Sequence, residues 1–171
     1  LNKLGGSILQ HGNADNKFGV AMDAKGHLVV SIGANKYTST KVMPLNQWAY
    51  LTLSYQAGDN ENLLYATVAY DATTANLFTA EKVAAYSGNG RLSVGGGTDG
   101  SIKELVLWDG ERTINEGLAN KFATKKPATT GILGYWKMDE GQGRVASDCA
   151  RSRNMSLSNE AWYLNNINKS A

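Results

Sequence analysis

The feature that most constrains this chain is an alternation with a period of two. Phe18, Val20 and Met22 alternate with Gly19, Ala21 and Asp23, and after Lys25-Gly26 the pattern resumes in Leu28, Val30 and Ile32. Successive side chains of a strand point to opposite faces, so such a run buries one face and wets the other. Residues 17 to 32 therefore read as a β-hairpin. Leu51, Leu53 and Tyr55 share a face of the run that begins at Trp48, residues 57 to 62 form its polar turn, and Leu64, Ala66, Val68 and Tyr70 alternate on the way back. Residues 71 to 90 have no clear period and are expected to hold one short strand. Arg91 to Val94 and Ile102 to Trp108 read as two more strands, separated by Gly95-Gly96-Gly97. No helix start or Gly-Lys-Ser/Thr follows those glycines, so they read as a tight loop and not as a phosphate cradle.

One helix interrupts the pattern. Ile114, Leu118 and Phe122 recur at helical spacing, and Thr113 with Glu116 forms a capping box, which predicts a short helix near residues 114–123. Pro127 ends it. Strands resume at Ile132 to Met138, near Met155 to Leu157 and near Trp162 to Leu164. The chain is thus expected to be all-β: two antiparallel sheets packed face to face, with Trp48, Leu51, Leu53, Val94, Leu105 and Leu107 largely buried.

Composition narrows the function classes. The 171 residues carry 17 Lys and Arg against 15 Asp and Glu, with the signs interspersed, so no basic stripe marks a nucleic-acid partner. No apolar run approaches the ~20 residues of a membrane span. The single cysteine, Cys149, excludes an internal disulfide framework, and no Cys/His cluster has zinc-ligand spacing. The first residues lack both an initiator Met and the plan of a signal peptide, which reads as a segment of a longer precursor. His11 and His27 have no serine elbow with them. Asn154-Met155-Ser156 and Asn168-Lys169-Ser170 match the glycosylation sequon, a pattern common by chance in polar loops.

Four places resemble the laminin-G-like, concanavalin-A-like jelly-roll family. Residues 47 to 55, a Trp followed by an alternating run that ends in Tyr, are similar to the family's central strand. Residues 92 to 96 and 100 to 108 are similar to its closing strands, and the helix from Ile114 resembles the one that follows them. Gly134-Tyr135-Trp136-Lys137-Met138-Asp139-Glu140-Gly141, then Asp148, then Trp162, resembles its opening segment. The resemblance implies one jelly-roll over residues 1–171, with a main body in 1–130. Residues 131–165 either complete it or begin a further repeat. In the first case the strand near Leu133 to Met138 and the strand near Trp162 pair into the sandwich formed by the preceding residues, within the chain or in a strand-swapped dimer, and a chain ending at residue 130 is expected to be insoluble or molten.

The same resemblance implies a non-catalytic extracellular module of a bacterial cell surface that binds a glycan or a protein. A structural or adhesin spacer is the alternative, and a glucanase-like hydrolase the second. Glucanases need carboxylates two residues apart on one strand face, and no such run exists here. Asp139 and Glu140 are adjacent, so in a strand they would face opposite ways. The ligand-like positions are the oxygen-rich turns, Asp15 and Asn16, Asp59 and Asn60, and Asp99, together with Trp108 at a strand end. Asp and Asn are also ordinary turn residues, and none of these turns has the spacing of a dedicated calcium loop. No cofactor is required, and calcium is the one ion these turns would suit. Trp48, Trp136 and Trp162 occupy family positions that are normally core, which leaves Trp108 as the aromatic to test for ligand contact.

Overall fold

The computed structural model describes residues 5–12, 16–59, 61–70, 73–97, 99–110, 116 and 130–157. Twelve strands run in the order β1 (Gly6–Gly12), β2 (Lys17–Met22), β3 (His27–Ile32), β4 (Asn35–Val42), β5 (Tyr50–Gln56), β6 (Asn62–Tyr70), β7 (Thr73–Val83), β8 (Leu92–Val94), β9 (Leu105–Trp108), β10 (Ile132–Trp136), β11 (Val145–Ala146) and β12 (Met155–Ser156). All pairings are antiparallel. Glu116 is helical, and the rest of the expected helix lies outside the described residues, as does the strand near Trp162. The chain divides into two compact units. The first holds β1 to β8, and the second holds Ser101–Gly110 and the described residues from 130 to 157.

In the first unit β4-β3-β2-β1-β8 form one sheet and β5-β6-β7 another. The expected hairpin is present with Phe18 opposite Ile32, Val20 opposite Val30 and Met22 opposite Leu28. Asp23 shapes its turn, accepting the N–H groups of Lys25 at 2.8 Å and His27 at 2.9 Å. Leu51 faces Val68, Leu53 faces Ala66 and Tyr55 faces Leu64, so the expected register of β5 and β6 also holds. Val20, Met22, Leu28, Val30 and Ile32 from one sheet, and Leu64, Ala66, Val68, Leu77 and Val83 from the other, form a single apolar core. Burying that surface on one face of each sheet is what fixes the pairing registers.

Several expectations need correction. Trp48 is 44% exposed and is not core. Regular pairing begins only at Tyr50, after Asn46 has turned the chain at φ 56, so the alternation of β5 does not extend back to Trp48. Leu51 and Leu53 pack against the core but are half-buried, and Val94, Leu105 and Leu107 are half-buried too. In place of one short strand, residues 73 to 83 form an 11-residue strand. Ile102 to Trp108 shortens to Leu105–Trp108, because Glu104 takes a left-handed φ of 56.

The reverse face of β6 has its own signature. Thr67 is 2% exposed and Ala69 is fully buried, although both point away from the core side chains Leu64, Ala66 and Val68. The hydroxyls of Thr67 and of Thr52, directly opposite it on β5, are buried with no hydrogen-bond partner among the described residues. An unsatisfied buried hydroxyl costs roughly 1–3 kcal/mol. Thr67→Val, which keeps the shape and removes the polar atom, is therefore expected to raise the melting temperature; an unchanged or lower value would show that the hydroxyl has a partner.

In the second unit β10 pairs with β9, with Trp136 opposite Leu105 and Tyr135 opposite Val106. The strand near Leu133 to Met138 thus pairs with β9 of the same unit. β11 and β12 form a small ribbon. Asp139 and Glu140 lie in a loop and not in a strand, so the alternation argument does not apply to them.

Candidate functional site

The turns between β1 and β2, between β3 and β4, and between β5 and β6 lie at one end of the first unit. The register requires it: Gly12 sits opposite Lys17, Ile32 opposite Asn35 and Gln56 opposite Leu63, and β7 arrives at the same end where Val83 faces Asn62. The chain then crosses from the three-stranded to the five-stranded sheet as a strap over residues 84 to 91. Hydroxyls of both sheets hold the strap, since Ala84 N–H donates to Tyr37 Oη at 2.7 Å and Tyr86 N–H donates to Tyr55 Oη at 3.2 Å.

Tyr86 is the centre of this end. Its hydroxyl shares a hydrogen bond of 2.5 Å with His11 Nδ1, and its ring packs edge-on against His11 and tilted against Phe18. Burial pushes the Tyr86 phenol above its usual value of 10.0, so it stays neutral at physiological pH. Next to it Asn16 Nδ2 donates to Ser87 Oγ at 3.2 Å. Gly88 has no room for a side chain, because a Cβ there would lie 2.7 Å from the Tyr86 hydroxyl and closer still to the Asn16 carbonyl. The strap therefore lies directly on Asn16, just ahead of β2. Gly88→Ala is expected to displace it, read as loss of the slow amide exchange at Tyr86 that its bond to Tyr55 confers; unchanged exchange would refute the close approach.

Of the residues the sequence offered as ligand-like, the structure brings two to this end. Asn16 is bound into the strap, and Asp59 is exposed in the β5–β6 turn. Their turn neighbours Asp15 and Asn60 lie outside the described residues. Asp99 belongs elsewhere. Gly96 accepts the Ser7 N–H at the opposite end of β1, and Asp99 lies three residues further along. Trp108 is half-buried in the second unit, paired with Ile132 at the end of β9. The expected set is thus split between two ends of one unit and a second unit. Sequence reasoning did not single out Tyr86 or Ser87; His11, considered there only for a serine elbow, lies in β1.

The second unit is organised by Asp148. This carboxylate is 7% exposed and accepts N–H groups from Tyr135 and Ala150 at 2.9 Å and from Arg153 at 3.1 Å. Around it Asp148 N–H donates to Asn154 Oδ1, Trp136 Nε1–H donates to the Arg153 carbonyl, and Tyr135 O–H donates to Glu104 Oε1. Burial raises the Asp148 pKa more than any other single influence, but the backbone donors of Tyr135, Ala150, Arg153 and Arg151 together outweigh it and hold the carboxyl below 3.8. A carboxylate saturated in this way clamps a loop and is ill placed to act as a base. Among the described residues no group of three or more His, Cys, Asp or Glu side chains is placed to hold a metal ion, and no helix is long and apolar enough to cross a membrane.

No family model matches the chain, and neither does any curated protein or solved structure.

Proposed function

We propose that this chain is a laminin-G-like jelly-roll module of an extracellular or cell-surface protein, and that it binds a glycan or a protein ligand without catalysis. One observation carries the reading. Three turns and a strap converge at one end of a rigid two-sheet body, where they gather Asn16, Ser87, Tyr86 and Asp59. Binding residues are disproportionately found on loops held by a rigid scaffold. Tyr, Ser, Asn and Gly in particular offer adaptable hydrogen bonds at low entropic cost. Amide and hydroxyl groups with a carboxylate beside an aromatic ring suit a sugar better than an anion.

A spacer is the second reading, favoured by the way Tyr86 is already hydrogen-bonded to His11 and Ser87 to Asn16. A glycan array probed with the labelled chain separates the two. Binding to a related set of glycans is the expected result, and an array without specific binding would favour the spacer. Release of reducing sugar from a panel of β-glucans would overturn the non-catalytic reading.

No cofactor enters this account. EDTA is expected to leave the melting temperature unchanged, whereas a drop of many degrees would establish a stabilising bound cation and overturn the reading of Asp15, Asp59, Asp99 and Asp148 as turn and loop residues alone.

A further inference from the structure

Between the strap and β8 the sequence runs Gly88-Asn89-Gly90-Arg91, and Asn89-Gly90 is the sole Asn-Gly pair in the chain. A glycine after asparagine leaves the next backbone nitrogen unshielded by a side chain and the local backbone free to rotate. Those are the requirements for attack of that nitrogen on the asparagine carboxamide. Three structural facts favour the reaction here. Asn89 and Gly90 are both exposed and lie outside any strand or helix. The Gly90 N–H has no hydrogen-bond partner among the described residues. Gly90 has φ 129, a backbone conformation that side-chain-bearing residues rarely adopt, so the fold itself favours glycine after Asn89.

We infer that Asn89 is a site of spontaneous deamidation, converting through a succinimide to aspartate and isoaspartate. The Gly90 nitrogen gives up its proton to base and bonds to Asn89 Cγ. The bond from Cγ to the side-chain nitrogen breaks, and that nitrogen leaves as ammonia with the proton returned to it. Water then opens the five-membered imide at either carbonyl, giving one product with the normal backbone and one with an extra backbone methylene. Both add a carboxylate to the end that carries Asn16 and Asp59. The extra methylene falls three residues before Leu92, which pairs with His11. Other asparagines act as internal controls, because their side chains are engaged: Asn62 Nδ2 donates to the Val83 carbonyl and Asn76 Nδ2 donates to Thr79 Oγ1.

The inference does not depend on what the module binds. It is tested by ageing the full chain in mildly alkaline buffer, digesting with trypsin and following peptide 83–91, which holds Asn89 as its single asparagine. Peptide 83–91 is expected to show the mass gain of an amide-to-acid exchange and to split into aspartate and isoaspartate forms, more slowly than the free synthetic peptide because the strap is held at Tyr86 and at Arg91, whose carbonyl accepts the Gly12 N–H. The tryptic peptide carrying Asn62 and Asn76 should lag well behind. Asn89→Gln should abolish the change in peptide 83–91 and leave the melting temperature as it was. Retention of the amide in the folded chain, under conditions where the free peptide converts, would overturn the assignment.

Discussion

Replacing Leu64 with Ala should cost roughly 2–5 kcal/mol of unfolding free energy, among the largest effects of any single truncation in this chain. Leu64 has no exposed surface and sits on β6, the central strand of its sheet, facing Val20, Val30 and their neighbours in the shared core. Its removal loses both the transfer energy of the side chain and the contacts around the void, since strands paired on both sides cannot easily collapse inward. Leu53→Ala, two pairs further along on β5, should cost visibly less, because Leu53 keeps part of its surface in water. Denaturant melts of the two variants give the comparison. Equal losses, or a loss below about 0.5 kcal/mol for Leu64→Ala, would contradict the assignment of the core face.

Asp148→Ala is expected to cost about 2–3 kcal/mol, because it strands the buried N–H of Tyr135 and the part-buried N–H groups of Ala150 and Arg153 that one carboxylate now serves. The effect depends on pH in a definite sense. The folded-state pKa lies below 3.8, so the native state holds its proton less tightly than the unfolded chain. The stabilisation is therefore complete above the unfolded value and disappears as pH falls through the folded value. Melts recorded from neutral pH down to about pH 3 should show wild type losing stability in the acid range. Asp148→Asn should start lower and lose less over the same range. Parallel acid curves for the two proteins would show that the clamp does not titrate as described.

Strands were legible where one face is buried and the period is unbroken. β2, β3, β5 and β6 follow directly from alternating apolar residues. β7 was not legible because its pairing with β6 slips twice, between Asn62 and Leu64 and between Ala66 and Thr67. Leu77 and Phe78 consequently both carry apolar side chains at adjacent positions, and Lys82 takes a left-handed φ of 53, which erases the period. β4 was missed for the opposite reason, since seven of its eight residues keep appreciable exposure and no hydrophobic face is written into it. The rim was half legible. Asn16 reads as a turn residue from its neighbours, but Ser87 lies 71 positions away and the His11–Tyr86 pair spans 75, and no local pattern encodes such contacts. Trp48 misled because hydrophobicity alone does not say where a strand begins. Asp148 read as part of a resemblance, whereas its role as an acceptor of several N–H groups needed the folded loop.

Under the proposed function, ligand is expected to meet the end of the first unit where the β1–β2 turn, the β5–β6 turn and the strap lie. Hydrogen exchange of the full chain, with and without the best-binding glycan from the array, tests it most directly. Slowed exchange is predicted at residues 84 to 91, with Asn16 and Asp59, and unchanged exchange at residues 99 to 108. Protection centred on Asp99 or Trp108, with the strap unaffected, would contradict the account.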